Sequence, residues 1–350
     1  MKKRHLLFLL CALLSSAKLY AYDVEIDGIY YDLNSETENK WAAVTYGPQP
    51  QRYTGNVVIP ASITYEGIEY SVKGIGTMAF KDCKDLTSVT IPNSVASIGY
   101  YAFSGCKSLT SLTIPDNVGD IGRYAFAECT GLTTFILPKN LIILDSFVFS
   151  ECSGLTSVTI PYGVREINAA FDFCSRLVSV NIPNSVESIE GSFNGCSSLK
   201  SITIPNSVEI IGKNTFSYCT NLTSIVIGKN IKTIKLVAFS DCPNLTDVYC
   251  YAETVPDTKS NAFSNSLSKS PTLHVPVASM ENYKNVKPWS LFGEFVPLAE
   301  DETVIETLNF DNRNAVENIF TIDGTPVETM QKGVNIIKYK DGTSKKVVVK

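Results

Sequence analysis

The stretch Leu155-Thr-Ser-Val158-Thr-Ile160-Pro161 contains the pattern that decides the fold. Apolar residues alternate with small hydroxyl residues, which predicts a β-strand with one buried face. The proline ends the strand because it has no N–H to donate to a ladder. From residue 91 onward the stretch recurs every 22 or 23 residues. The Ile-Pro or Leu-Pro pairs are at residues 59–60, 91–92, 114–115, 137–138, 160–161, 182–183 and 204–205, and Ile227-Gly228 takes the eighth place.

Each copy closes with a second pattern, Phe-x-x-Cys-x-x-Leu, whose apolar residues are three positions apart. This spacing predicts one short helical turn. Between the two patterns stand residues such as Gly99 or Asn168, which tolerate positive φ, so we expect the chain to turn there. Each phenylalanine is followed three residues later by a cysteine and six residues later by a leucine. The eight phenylalanines are Phe80, Phe103, Phe126, Phe149, Phe171, Phe193, Phe216 and Phe239.

The repeat length indicates the fold class. A unit of 23 residues is too short for the paired helices of a repeat of about 34 residues, but it fits the leucine-rich class, a strand plus a short turn or helix. Because one unit cannot bury its apolar face alone, the units must stack. We therefore predict a repeat solenoid of parallel β-strands over residues 54–298. Residues 22–53, with a hairpin turn at Asp27-Gly28, predict a β-rich N-terminal cap, and an insertion at residues 63–70 predicts a small hairpin.

Composition excludes several functional classes. The chain has 30 basic and 35 acidic residues, a net charge of −5, and so lacks the basic face of a nucleic-acid-binding protein. Its two histidines, His5 and His274, provide little for a histidine-based metal or acid–base site. We find no His-Glu-x-x-His, Gly-x-Ser-x-Gly or P-loop pattern, and Gly74-Ile-Gly76 is explained by the repeat turn. The prediction is a non-enzyme without cofactor or metal.

The N-terminus predicts export. Lys2-Lys3-Arg4 precede an apolar run from Leu6 to Leu14 and small residues up to Ala21, as in a signal peptide cleaved between Ala21 and Tyr22. The run is too short to span a bilayer. Loss of residues 1–21 removes four basic and no acidic residues and changes the net charge from −5 to −9, which disfavours binding to an anionic membrane. We expect a secreted or outer-surface protein with no membrane insertion once the signal is removed.

The cysteine column has two interpretations. Stacked cysteines on one face do not converge into the tetrahedron that zinc requires, and a free cysteine behaves as a small buried apolar residue. We therefore predict buried free thiols. Disulfides between stacked neighbours remain the alternative, because distance alone does not exclude them.

Two surfaces are candidates for binding. The strand ladder, expected on the concave side, is nearly uncharged. A stripe two residues before each phenylalanine is apolar in the first half of the array, at Met78, Tyr101, Tyr124 and Phe147, and lacks such large side chains later, except Val237. Tyr101, Tyr124 and Phe147 are the candidate ligand-binding residues because aromatic side chains dominate interface energetics; a stacked, half-buried ladder is the alternative. The strand ladder comprises Ser88/Thr90, Ser111/Thr113, Thr134/Ile136, Ser157/Thr159, Ser179/Asn181, Ser201/Thr203, Ser224/Val226 and Asp247/Tyr249.

The unit Leu-x-x-Val-x-Ile-Pro-x-x-Val-x-x-Ile-Gly-x-x-Ala-Phe-x-x-Cys resembles the BspA-like leucine-rich repeat family, over about residues 54–298, with the segment from Leu273 through Tyr283 and Trp289 as its terminal part. This resemblance implies a right-handed solenoid and a role in adhesion or binding, without catalytic residues. Residues 303–350, with Asp323-Gly324, Asp341-Gly342 and a Lys-Val-Val-Val-Lys ending, resemble a C-terminal sorting domain of type IX secretion. Thr325 departs from the basic residue common after the first glycine, and a small β-module that only caps or links is the alternative.

These observations predict a secreted or cell-surface protein that binds an extracellular protein or glycan and does not bind nucleic acid. A structural envelope scaffold without a soluble ligand is the alternative.

Overall fold

The computed structural model describes residues 22–36, 38–48 and 52–298, together with the backbone of four strands between residues 316 and 349. The predicted signal peptide, including Ala21, lies outside the described residues. No described helix is long and apolar enough to cross a membrane.

The repeats form a solenoid with two rows of parallel strands. The first strand row is the predicted one, and it is divided into three sheets. Parallel pairing in register, such as Ser157 with Ser179 and Val158 with Val180, places identical repeat positions beside each other. The strands of the first row are Gly55–Val58, Leu86–Thr90, Thr134–Ile136, Ser157–Thr159, Ser179–Asn181, Ser201–Ile204, Ser224–Ile227, Asp247–Cys250, Thr272–Val275 and Glu294–Pro297.

One predicted strand is absent from this row. Residues 109–115 form no strand, although Leu112 and Ile114 are buried. The prediction that Ser111 and Thr113 flank a strand was therefore wrong. Alternation specifies which side chains are buried, and here that burial is achieved without a hydrogen-bonded ladder.

A second strand row, which the sequence did not reveal, follows each turn after the proline. Its strands are short, so the alternation they offer covers too few positions to be recognised. They are Ile68–Ile75, Ser97–Ile98, Asp120–Ile121, Ile143–Leu144, Glu166–Asn168, Ser188–Glu190, Ile210–Ile211, Thr233–Ile234 and Asp257–Thr258.

The third side of each coil, the turn side, contains consecutive turns. The predicted turn at Phe-x-x-Cys-x-x-Leu is present, but it does not continue into a helix. Cys106 N–H donates to Phe103 O at 3.1 Å and Leu109 N–H to Cys106 O at 3.2 Å, an i-to-i−3 pattern. The backbone also bonds to the next coil, since Phe103 N–H donates to Ala125 O at 2.7 Å. Positive φ at two positions four residues apart, 55° at Tyr101 and 75° at Gly105, prevents a helix from propagating.

Aromatic rings form the centre of the core. The repeat phenylalanines stack from Phe80 to Phe263 with centroid distances between 4.9 and 5.5 Å. Tyr53 tilts by 47° against Phe80 at one end, and Trp289 packs edge-on against Phe263 at the other. Rings that are not parallel to the stack thus close both of its ends.

The N-terminal strands Val24–Ile26, Ile29–Asn34 and Trp41–Thr45 extend the second strand row, with Trp41–Thr45 parallel to Ile68–Ile75. The predicted hairpin is confirmed as Ser62–Tyr65 paired with Ile68–Ile75. Its turn, at Glu66 and Gly67, has φ of 51° and 77°, as expected for a type I′ hairpin. Asp27 and Gly28 have φ of 50° and 77° and join the first two strands in the same way.

At the C-terminal end, the helix Met280–Lys284 lies between two 3₁₀ turns, Val277–Ser279 and Trp289–Leu291. Tyr283 and Trp289 are fully buried there. Tyr283 Oη donates to Ala252 O at 2.8 Å, which fixes this segment against the last coils.

The C-terminal module contains the antiparallel strands Val316–Thr321, Pro326–Val327, Gly333–Tyr339 and Ser344–Val349. The predicted short strands are therefore confirmed. The predicted Asp-Gly turns at residues 323–324 and 341–342 lie outside the described residues.

Candidate binding surfaces

The aromatic stripe occupies backbone positions in the left-handed region. Tyr101, Tyr124 and Phe147 have φ of 55°, 58° and 64°, and the later copies Ala169, Gly191, Asn214 and Val237 share this conformation. Left-handed φ is a genuine outlier for a bulky residue. The solenoid backbone imposes it on whichever side chain the sequence supplies.

The three rings stack on one another. Tyr101 and Tyr124 have centroids 4.7 Å apart at 3°, and Tyr124 and Phe147 are 4.9 Å apart at 10°. All three side chains are half-buried, and Lys81 Nζ lies 5.1 Å from the Tyr101 ring centroid. The structure thus brings the predicted site residues together, in the packed arrangement that was the alternative interpretation, and leaves part of each ring accessible.

The residues of the strand ladder form a polar surface on the strands of the first row. Thr90, Thr159 and Asn181 are exposed, and Ile136 interrupts the polarity with 71% exposure. At the C-terminal end of this surface His274 stacks on Tyr249 at 4.1 Å and its Nε2 lies 3.1 Å from Asp247 Oδ1. This contact is not predictable from the sequence, because Tyr249 and His274 are 25 residues apart and His274 lies outside the recognised repeats.

The cysteines are hydrogen-bond donors inside the core. Seven of them donate Sγ–H to the carbonyl oxygen of the phenylalanine in the preceding coil, as Cys152 does to Phe126 O at 3.0 Å. In the ninth coil Ser266 replaces cysteine and donates Oγ–H to Phe239 O at 2.5 Å. All nine cysteines from Cys83 to Cys250 are buried and free, which confirms the prediction of buried thiols.

Burial also makes these thiols poor nucleophiles. Desolvation raises the pKa of Cys83 to about 11 and the pKa of Cys152 to about 12, and the thiolate is the reactive form. No group of three or more His, Cys, Asp or Glu side chains that could hold a metal ion occurs among residues 22–36, 38–48 and 52–298. The column is therefore an element of the core.

A groove of about 550 Å³ lies at the N-terminal end, between the first hairpin and the strand Gly55–Val58. Glu25, Asp27 and Arg52 line it together with Tyr53. Arg52 donates to the Asp82 carbonyl at 2.6 Å, so this cation is already engaged. The groove contains no constellation of catalytic side chains.

Several solved structures of leucine-rich repeat proteins are similar to this chain. A leucine-rich cell surface protein from Faecalibacterium prausnitzii A2-165 is 23% identical, with 82% of this chain and 97% of that chain covered and a TM-score of 0.47. A leucine-rich repeat protein from T. pallidum is 26% identical, with 64% and 90% covered and a TM-score of 0.46. A leucine-rich repeat protein from Bacteroides capillosus ATCC 29799 is 33% identical, with 34% and 83% covered and a TM-score of 0.31.

No curated protein matches the chain in sequence. The model of the BspA type leucine-rich repeat region matches in six copies over residues 61–176 and 167–284, which is more than half of the chain. The chain belongs to the BspA type leucine-rich repeat family.

Proposed function

We propose that this chain is an exported, non-enzymatic binding protein that holds a protein or glycan ligand on the first half of its solenoid. The observation that carries the proposal is the aromatic stripe. Tyr101, Tyr124 and Phe147 keep bulky rings at positions where the backbone favours glycine or asparagine. Stacked, partly accessible aromatic rings provide rigid anchors for an interface.

The neighbouring surface supports this proposal. Tyr100 is 53% exposed beside the stripe, and Met78 at its end is 39% exposed. The strand ladder supplies hydroxyl groups for hydrogen bonds but little apolar area. A ligand would therefore take its affinity from the rings and its orientation from polar groups around them.

Export and surface location belong to the same proposal. The basic and apolar N-terminus supports secretion, and a cell-surface location is stated for the F. prausnitzii relative. Residues 303–350 would then act as the sorting segment, which their strand pattern and Lys-Val-Val-Val-Lys ending support.

The experiment is a binding screen of the mature chain against an oligosaccharide array and immobilised extracellular proteins. The double variant Y101A/Y124A should weaken a specific interaction roughly 30-fold, equivalent to about 2 kcal/mol. Y162A is the matched control, since Tyr162 is 68% exposed and lies outside the stripe.

Two outcomes contradict the proposal. Binding that survives in Y101A/Y124A, with a large fall in melting temperature, would assign the stripe to the core alone. Absence of any ligand in the screen would favour the envelope scaffold.

A further inference from the structure

A second left-handed column runs along the turn side, one residue before each repeat cysteine. Its backbone N–H groups bond to the next coil: Phe173 to Asn194 O at 2.7 Å, Gly195 to Ser217 O at 2.8 Å and Tyr218 to Ser240 O at 2.9 Å. The register therefore places Glu151, Phe173, Gly195, Tyr218 and Asp241 in one line, roughly 5 Å apart, as expected of hydrogen-bonded neighbours.

Two members of this column are unexpected. Most copies have Asp, Asn, Gly or Glu here: Asp82, Gly105, Glu128, Glu151, Gly195, Asp241 and Asn265. Phe173 and Tyr218 instead expose 51% and 56% of their surface while their φ is 56° and 57°. An exposed aromatic ring at left-handed φ is disfavoured by the backbone and gains little from burial. Backbone preference therefore does not account for these two residues, and each keeps about half of its surface in solvent.

Gly195 shapes the space between the rings. A Cβ atom at this position would lie 2.5 Å from Phe173 Cδ1 and 2.9 Å from Cε1. The Phe173 ring therefore lies directly over the glycine backbone. Phe173 and Tyr218 stand two coils apart, roughly 10 Å along the column, and the Phe173 ring covers the backbone of Gly195 between them.

Carboxylates surround this aromatic pair. Glu151 precedes Phe173 in the column and Asp241 follows Tyr218. Among the described residues neither carboxylate forms an ion pair: Asp241 accepts hydrogen bonds from Ser240 at 2.6 Å and Asn265 at 2.8 Å. Asp172, half-buried beside Phe173, accepts from Asn194 at 2.7 Å, and desolvation followed by the charge of Glu151 raises its pKa. Arg176 on the same coil pairs with none of them in this part of the chain.

We propose that Phe173, Gly195 and Tyr218, flanked by Glu151 and Asp241, form a binding site for an arginine or lysine side chain of a basic polypeptide partner. A cation over an aromatic face is attracted by the ring quadrupole, and the carboxylates one coil beyond each ring add negative charge to the surrounding surface. The flanking charge disfavours acidic glycans and gives neutral glycans no advantage. This site is separate from the aromatic stripe and does not rest on the ligand proposed for it.

The test is titration calorimetry of the full chain with acetyl-hexa-arginine amide at an ionic strength of about 0.15 M, which limits non-specific attraction. The double variant F173N/Y218N should lose roughly fivefold to thirtyfold in affinity, the size of two exposed cation–π contacts. Asparagine tolerates left-handed φ, so this variant should melt at the same or a higher temperature. The charge variant E151Q/D241N should also lose affinity.

Two controls locate the effect. Y162N removes an exposed tyrosine elsewhere, and Y101A/Y124A removes the stripe; both should bind hexa-arginine as the natural chain does. The proposal is overturned if hexa-arginine does not bind or if F173N/Y218N binds it equally well. It is also overturned if Y101A/Y124A abolishes binding, or if cellohexaose binds with the same dependence on Phe173 and Tyr218.

Discussion

Substitution of Cys152 measures how much the hydrogen bonds of the cysteine column contribute to the free energy of unfolding. Its side chain is fully buried and donates to Phe126 O at 3.0 Å. Cys152→Ala removes both the donor and the sulfur, whereas Cys152→Ser keeps a donor of the kind that Ser266 provides naturally. Comparison of the two variants therefore separates the hydrogen bond from apolar burial.

The magnitude follows from these contacts. Loss of one buried heavy atom costs about 1 kcal/mol, and loss of the hydrogen bond adds about 1 kcal/mol, so Cys152→Ala should lower the free energy of unfolding by about 2 kcal/mol. The cost is limited because Phe126 O still accepts the Cys129 N–H at 3.2 Å. Cys152→Ser should lose only the burial of sulfur, about 1 kcal/mol.

Urea unfolding, followed by circular dichroism, measures whether Cys152→Ser is more stable than Cys152→Ala. Ser266→Ala is the matched control: Ser266 Oγ also accepts the Cys242 N–H at 2.8 Å, and leaving that donor unpaired should make the loss larger, about 3 kcal/mol. If Cys152→Ala were as stable as Cys152→Ser or more so, the hydrogen bond would have no role in stability and the cysteine column would contribute apolar packing only.

Three further predictions concern the thiols and the C-terminus. Thiol titration of the denatured mature chain should find close to nine groups, since Cys11 lies in the predicted signal peptide, and five or fewer under non-reducing conditions would show disulfides. The thiols should also make stability fall at alkaline pH. Below pH 9 they are protonated in both states. Above it the unfolded thiols ionise near their ordinary pKa of 9.0, whereas burial holds the pKa of Cys83, Cys152 and Cys242 near 11 to 12 in the folded state, so ionisation stabilises the unfolded state. If residues 303–350 are a sorting signal, protein isolated from the cell surface should lack them, and an intact mass ending at Lys350 would contradict this.

The sequence predicted the core because burial requires fixed side-chain types at fixed positions. Phe103, Cys106 and Leu109 are all fully buried, and their spacing alone placed them in stacked columns. The hairpin at residues 62–75 was equally accessible, since it inserts nine extra residues with a Glu66-Gly67 turn into a known register.

The backbone between those positions could not be predicted in the same way. Left-handed φ at Tyr101, Phe173 and Val237 has no signature in residue types that usually avoid it. The repeat imposes this backbone conformation on whichever residue stands there. The spacing of Phe-x-x-Cys-x-x-Leu suggested a helical turn, whereas the backbone φ changes between negative and positive values along this segment. The backbone conformation of Phe173 and Tyr218 was hidden for the same reason. Their residue types were visible, since aromatic residues replace Asp, Gly or Glu at one repeat position.

The hydrogen bonds of the cysteine column bear on how the number of repeats in such a chain can change. Seven coils each supply one sulfur donor to the coil before them, which supplies one phenylalanine carbonyl in return, so a duplicated unit brings both groups in equal number. Gene duplication or loss of a complete unit therefore creates no unmatched group inside the array. Tyr53 and Trp289 close the ring stack at its two ends, so a change in the number of internal units leaves both terminal contacts in place.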